Sequence, residues 1–324
     1  MSAAPASGAH AIRTDDGARL MTYVAGPATA PATMVLVHGL SVTADLWRIP
    51  ARYLASDGYR VVRYDQRGHG HSTRGRVFRL SLDQLADDLD QVITTAAPAG
   101  PLILAGHSLG ALTLQRLLAR HPHHRDRIRG MLLVSATGRG ARTRPGPGPR
   151  HLLLGAARQA VALACTLAPR AVDRIRRRLP TAYRHALRPR SLEPQAPQGP
   201  PPCRAGLRHT PTEDIVDLWE ELVDYQLTAA DRRALHSLGD RLRLLAGTHD
   251  IHIPAAETTG LADQLPAAQL HLAADATHAL PVHQPGLVTR HLTQLATSTP
   301  AAGNVSRGRR APATAVGAPL VRRS

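Results

Sequence analysis

Ala105-Gly106-His107-Ser108-Leu109-Gly110-Ala111 lies between an apolar run, Pro101-Leu102-Ile103-Leu104, and a leucine-rich stretch from Leu109 to Arg120. The run reads as a buried strand. The stretch reads as a helix with Leu112, Leu114, Leu117 and Leu118 available for packing. Gly-x-Ser-x-Gly between a strand and a helix is a nucleophile elbow. The turn is so tight that Ser108 must take strained backbone angles, and side chains two residues to either side would collide. Gly106 and Gly110 relieve that collision. The serine hydroxyl is then lifted to the top of a sheet, with the Leu109 N–H beside it at a helix start.

A serine hydroxyl needs a base to take its proton, and the base needs a carboxylate to orient it. Arg241-Leu242-Arg243-Leu244-Leu245-Ala246-Gly247-Thr248-His249-Asp250 is a short apolar strand running into a loop, with Asp250 at the acid position. Ala268-Gln269-Leu270-His271-Leu272 is a further strand, and His278 stands on the loop after it. Ser108, Asp250 and His278 therefore follow the order Ser…Asp…His, each at a strand end. Asp275 is the rival acid, but it shares a loop with His278. The loop after Met131-Leu132-Leu133-Val134 reads Ser135-Ala136-Thr137-Gly138 and has no carboxylate. His249, His252 and His283 read as loop histidines.

Acyl transfer builds negative charge on a carbonyl oxygen, and two backbone N–H groups must already point at it. Thr33-Met34-Val35-Leu36-Val37 reads as a buried strand that ends in His38-Gly39-Leu40. Leu40 is placed to give one donor and Leu109 the other. His38 reads as a hydrogen-bonded scaffold residue beneath the loop.

These motifs resemble the α/β-hydrolase superfamily, in its serine-nucleophile, esterase- and lipase-like branch. The likeness runs over residues 10–140 and 205–298. It rests on His38-Gly39-Leu40, Tyr64-Asp65-Gln66-Arg67-Gly68-His69-Gly70-His71-Ser72, Gly106-His107-Ser108-Leu109-Gly110, Gly247-Thr248-His249-Asp250 and Thr277-His278. The resemblance implies that Asp65 and Arg67 organise loops near the nucleophile. Serine in the elbow argues against the dehalogenase and epoxide hydrolase branches, which use aspartate there. One departure is Thr277, where glycine commonly precedes the histidine.

An opening hairpin (residues 10–14 and 18–24) and the alternation of strands with helices at 47–56, 81–96 and 109–120 predict an α/β fold. Its sheet should be mostly parallel with helices on both faces. Asp83, Asp87, Asp88 and Asp90 fall on helix 81–96, where they read as its solvated face, and no metal site is expected. From residue 138 the pattern breaks into Gly/Pro/Arg-rich loops, an apolar stretch at 151–167 and six prolines in 189–202. The resemblance places a lid here, after the sixth strand. The expected organisation is a flexible N-terminus (1–9), a first core part (10–137), a lid (138–228), a second core part (229–298) and a disordered basic tail (299–324). The lid stretch is too short and too interrupted to span a bilayer.

The formal charge is +16, and every one of the 40 basic residues is arginine. Residues 139–190 carry +12 and residues 299–324 carry +5, which leaves the rest of the chain near −1. Basicity thus belongs to the lid and tail. A weak attraction to an anionic substrate or membrane surface through them is one reading, and codon bias filling solvated positions is the other. Nucleic acid is disfavoured because no binding motif accompanies the charge. Cys165 and Cys203 are compatible with a disulfide without requiring one. No signal peptide is visible in Met1-Ser2-Ala3-Ala4-Pro5, so a cytoplasmic location is expected.

The expected activity is hydrolysis of a carboxylic ester or related acyl bond, with no metal or organic cofactor and a small-molecule substrate. Amide or peptide hydrolysis, carbon–carbon bond hydrolysis and cofactor-free haloperoxidase chemistry remain alternatives on the same fold. A non-catalytic ligand-binding protein on this scaffold is the alternative from another class.

Overall fold

The computed structural model describes residues 8–140, 171–172 and 210–298. Most of the expected lid, both cysteines, the N-terminal seven residues and the basic tail lie outside the described residues.

Among the described residues, eight strands form one sheet: β1 (Gly8–Arg13), β2 (Arg19–Ala25), β3 (Thr33–Val37), β4 (Arg60–Tyr64), β5 (Leu102–His107), β6 (Ile128–Val134), β7 (Leu242–Gly247) and β8 (Gln269–Ala273). Their order is β1-β2-β4-β3-β5-β6-β7-β8. β1 and β2 pair antiparallel, as do β2 and β4, and every later pairing is parallel. Helices among the described residues include α1 (Arg48–Ser56), α2 (Leu82–Ala96), α3 (Leu109–Arg120), α4 (Thr212–Asp224), α5 (Ala229–His236), α6 (Ala255–Ala262), α7 (Leu280–His283) and α8 (Pro285–Thr297). This is the expected α/β-hydrolase arrangement.

The central parallel strands β3 and β5 are buried along their whole length because both faces of the sheet are covered there, whereas the edge strand β8 is largely exposed. Away from the irregularity where β5 and β6 begin, the side chains of the parallel strands alternate between the two faces. Val35 and Val37, Leu102 and Leu104, and Met131 and Leu133 enter one core with leucines of α2, α3 and α5. Met34 and Leu36, Ile103 and Ala105, and Leu132 and Val134 enter the other with Trp47, Leu54, Val288 and Leu292. Because β3, β5, β6, β7 and β8 run in one direction, their carboxyl ends share one edge, where ligands bind in such sheets. His38, Ser108, Ser135, Asp250 and His278 all follow those ends.

One sequence expectation fails in the core. Asp88 is not solvated: it is fully buried and takes the Arg67 guanidinium through Nε at 2.7 Å and through Nη2. Asp83 and Asp87 do face outward, paired with Arg120. No described helix is long and apolar enough to cross a membrane.

Candidate active site

Ser108 sits at the junction of β5 and α3 with φ +54° and ψ −117°, a strained conformation for a residue with a Cβ. Its N–H donates to the Val134 carbonyl at 2.9 Å, which ties the turn to β6. The flanking glycines are required by proximity. A Cβ on Gly106 would lie 2.3 Å from the Gly110 carbonyl oxygen, and one on Gly110 would lie 2.4 Å from that of Val37. The helix start is thus driven against β5 and β3 together.

Asp250 and His278 meet. His278 Nδ1 lies 2.8 Å from Asp250 Oδ2. The carboxylate's other oxygen accepts the His252 and Ile253 N–H groups, each at 2.9 Å. Burial raises the Asp250 pKa, but the His278 contact and the Ile253 N–H outweigh it and hold the carboxyl below its ordinary value. The two loops are laced by their backbones: Thr248 N–H donates to Ala273 at 3.0 Å and His249 N–H to Ala276 at 2.9 Å. Asp275 points away, with a side chain 89% exposed. Thr277, in the place of the expected glycine, has its hydroxyl 3.0 Å from His283 Nδ1.

The His38-Gly39-Leu40 loop lies against the serine: a Cβ on Gly39 would be 3.2 Å from Ser108 Cβ. His38 is wholly engaged beneath it. Its Nε2 accepts the Gln66 N–H at 2.8 Å, so Nδ1 carries the proton and donates to the Gly39 carbonyl at 2.7 Å. Gln66 Nε2 donates to the His38 carbonyl at 2.6 Å. Burial pushes the His38 pKa down to about 4, which keeps the ring neutral. Leu109, as the first residue of α3, has an N–H free of the helix ladder.

Asp65 and Arg67 brace this edge from below. Asp65 accepts the Ala44 N–H at 2.8 Å and the His71 N–H at 2.9 Å, one on each oxygen. Arg67 joins α2, through Asp88, to the opening hairpin, through Asp16.

Two contributors escaped the sequence reading. His107, the variable residue inside the elbow, places Nε2 2.7 Å from the His278 carbonyl oxygen, and the two rings lie 4.6 Å apart. Gln66 bridges the His38 loop to α3 by accepting the Thr113 hydroxyl at 3.1 Å. Neither signal is local, since both depend on which loop lands beside the side chain. Of metal-ligating types, the described residues offer one cluster, Asp90 with His123 and His124, on α2 and the turn after α3 rather than at this edge.

Residues 32–283 match the family model described as alpha/beta hydrolase fold. The chain is 32% identical over 143 residues to the "Probable oxidoreductase EphD" of Mycobacterium tuberculosis (strain ATCC 25618 / H37Rv), covering 44% of this chain and 22% of that protein. It is 31% identical over 128 residues to the "Bifunctional esterase/perhydrolase DCH" of Acinetobacter calcoaceticus, covering 39% of this chain and 44% of that protein. The matches thus span less than half of either relative. A solved hydrolase from Pseudomonas aeruginosa PA01 superposes with a TM-score of 0.64 at 22% identity, over 90% of this chain and 99% of that one, a likeness of fold.

Proposed function

Because the chain belongs to the alpha/beta hydrolase fold family, we propose that it is a serine hydrolase that cleaves a carboxylic ester or a related acyl bond through an acyl-enzyme. The observation that carries this reading is the Asp250–His278 pair, 2.8 Å apart, on the same sheet edge as the strained Ser108. With Nδ1 donating to Asp250, the His278 Nε2 lone pair is the one left for the serine proton. Ser108 Oγ attacks the substrate carbonyl as His278 takes its proton. The Leu40 and Leu109 N–H groups receive the oxyanion, a donor arrangement in which each group is worth roughly 10²–10³ in rate. His278 then protonates the leaving alcohol. Water, deprotonated by His278, attacks the acyl carbonyl, and the acid leaves with Ser108 restored.

The esterase/perhydrolase of Acinetobacter calcoaceticus, to which the chain is similar, favours one second reading, in which hydrogen peroxide replaces water at the last step and the product is a peracid. Turnover of p-nitrophenyl esters of graded acyl length, with and without peroxide, tests both. Wild-type hydrolysis that collapses in Ser108→Ala supports the serine mechanism. Equal rates in the two proteins contradict it, and a folded wild type inert to every ester favours a ligand-binding role.

A further inference from the structure

We propose a divalent transition-metal site, zinc before others, formed by Asp90, His123 and His124 with His121 beside it. Asp87 and Asp90 lie one turn apart on the same face of α2. The three histidines fall where the chain leaves α3, and Pro122 starts a 3-10 turn (Pro122–Arg127) that brings them over α2. Asp90 Oδ1 is 2.7 Å from His124 Nε2, 3.1 Å from His123 Nε2 and 3.6 Å from His121 Nδ1. A tetrahedral zinc ion with bonds of about 2.0–2.1 Å spaces neighbouring ligand atoms about 3.3 Å apart, in the middle of that range. The ligand atoms of Asp90, His123 and His124 all lie within 4.8 Å of one another.

The surroundings fit as well. His121 turns its other nitrogen, Nε2, to Asp87 Oδ1 at 2.8 Å, the carboxylate-on-imidazole contact that orients histidines around metals. His124 is buried and held by packing, whereas the His123 side chain is 60% exposed and leaves a path from solvent. Two imidazoles and one carboxylate suit a borderline ion. Calcium and magnesium take oxygen ligands and are disfavoured. The alternative is an ion-free network of imidazoles in contact with Asp90. The turn precedes β6, so the site lies toward the opposite end of that strand from Ser135 and the candidate active-site edge. Its effect is therefore to pin the α3 exit to α2, not to act in hydrolysis.

The test titrates the full, chelator-stripped chain with Co2+ and then Zn2+. The expected result is a four-coordinate cobalt spectrum that saturates at one equivalent and is displaced by zinc, with a zinc-dependent rise in Tm. His123→Ala, at an exposed position where folding is not at stake, and Asp90→Asn lower affinity by roughly tenfold or more and remove the Tm rise. A cobalt spectrum that stays six-coordinate, or variants that titrate as the wild type does, overturns the site, the metal then binding elsewhere among the 18 histidines.

Discussion

His107 holds the main-chain carbonyl of His278 at 2.7 Å, so the strand that ends at Ser108 grips the loop that carries His278. Facing a carbonyl, Nε2 is the protonated nitrogen. Burial, with the neighbouring His278, pushes the His107 pKa down to about 3, so the ring stays neutral.

His107→Leu removes the donor and lets that loop drift. We expect kcat for ester hydrolysis to fall roughly 10–100-fold with KM little changed, as small misplacements of a reacting group do. His107→Gln keeps an N–H donor and restores part of the loss. Identical kcat in both variants would show that the contact positions nothing.

Arg67 and Asp88 are both fully buried, and removing one partner strands a charge in the core. Asp88→Ala is expected to cost about 3–5 kcal/mol in urea unfolding, even with Asp16 still beside Arg67. A double replacement by apolar residues of similar volume recovers most of it. A single-variant loss below about 0.5 kcal/mol, the range of ordinary surface substitutions, contradicts the account.

Three buried histidines set the acid limb of stability. Burial pushes the pKa of His38 to about 4 and of His69 and His107 to about 3, against 6.5 for a free side chain. Below about 6.5 the unfolded chain takes up protons that the native state refuses. Stability is therefore complete above that pH and lost progressively as pH falls toward 3. Each group contributes up to about 1.4 kcal/mol per pH unit in that window. Urea midpoints at pH 5 and pH 7 measure it, and a flat or inverted dependence contradicts the burial of these rings.

The fold was legible because parallel strands covered on both faces are written as short apolar runs such as Thr33–Val37 and Leu102–His107. The candidate site was legible as residues at strand ends, with Ser108 marked by its two glycines. What escaped is what packing between distant segments decides. Asp88 has the helical spacing of its solvated neighbours, and only Arg67, arriving from a loop 21 residues earlier, separates it from them. The partner of His107 lies 171 residues away. His123 and His124 look like solvated loop histidines until α2 sets Asp90 against them.

The most direct measurement of the central claim is fluorophosphonate labelling of the folded chain, followed by peptide mapping of the adduct. The account predicts one adduct, on Ser108. It should be absent in Ser108→Ala and greatly slowed in Asp250→Asn, where the imidazole loses its tautomer and kcat falls by roughly 10⁴ in such triads. A folded wild type that takes no label, or an adduct on another serine, contradicts it.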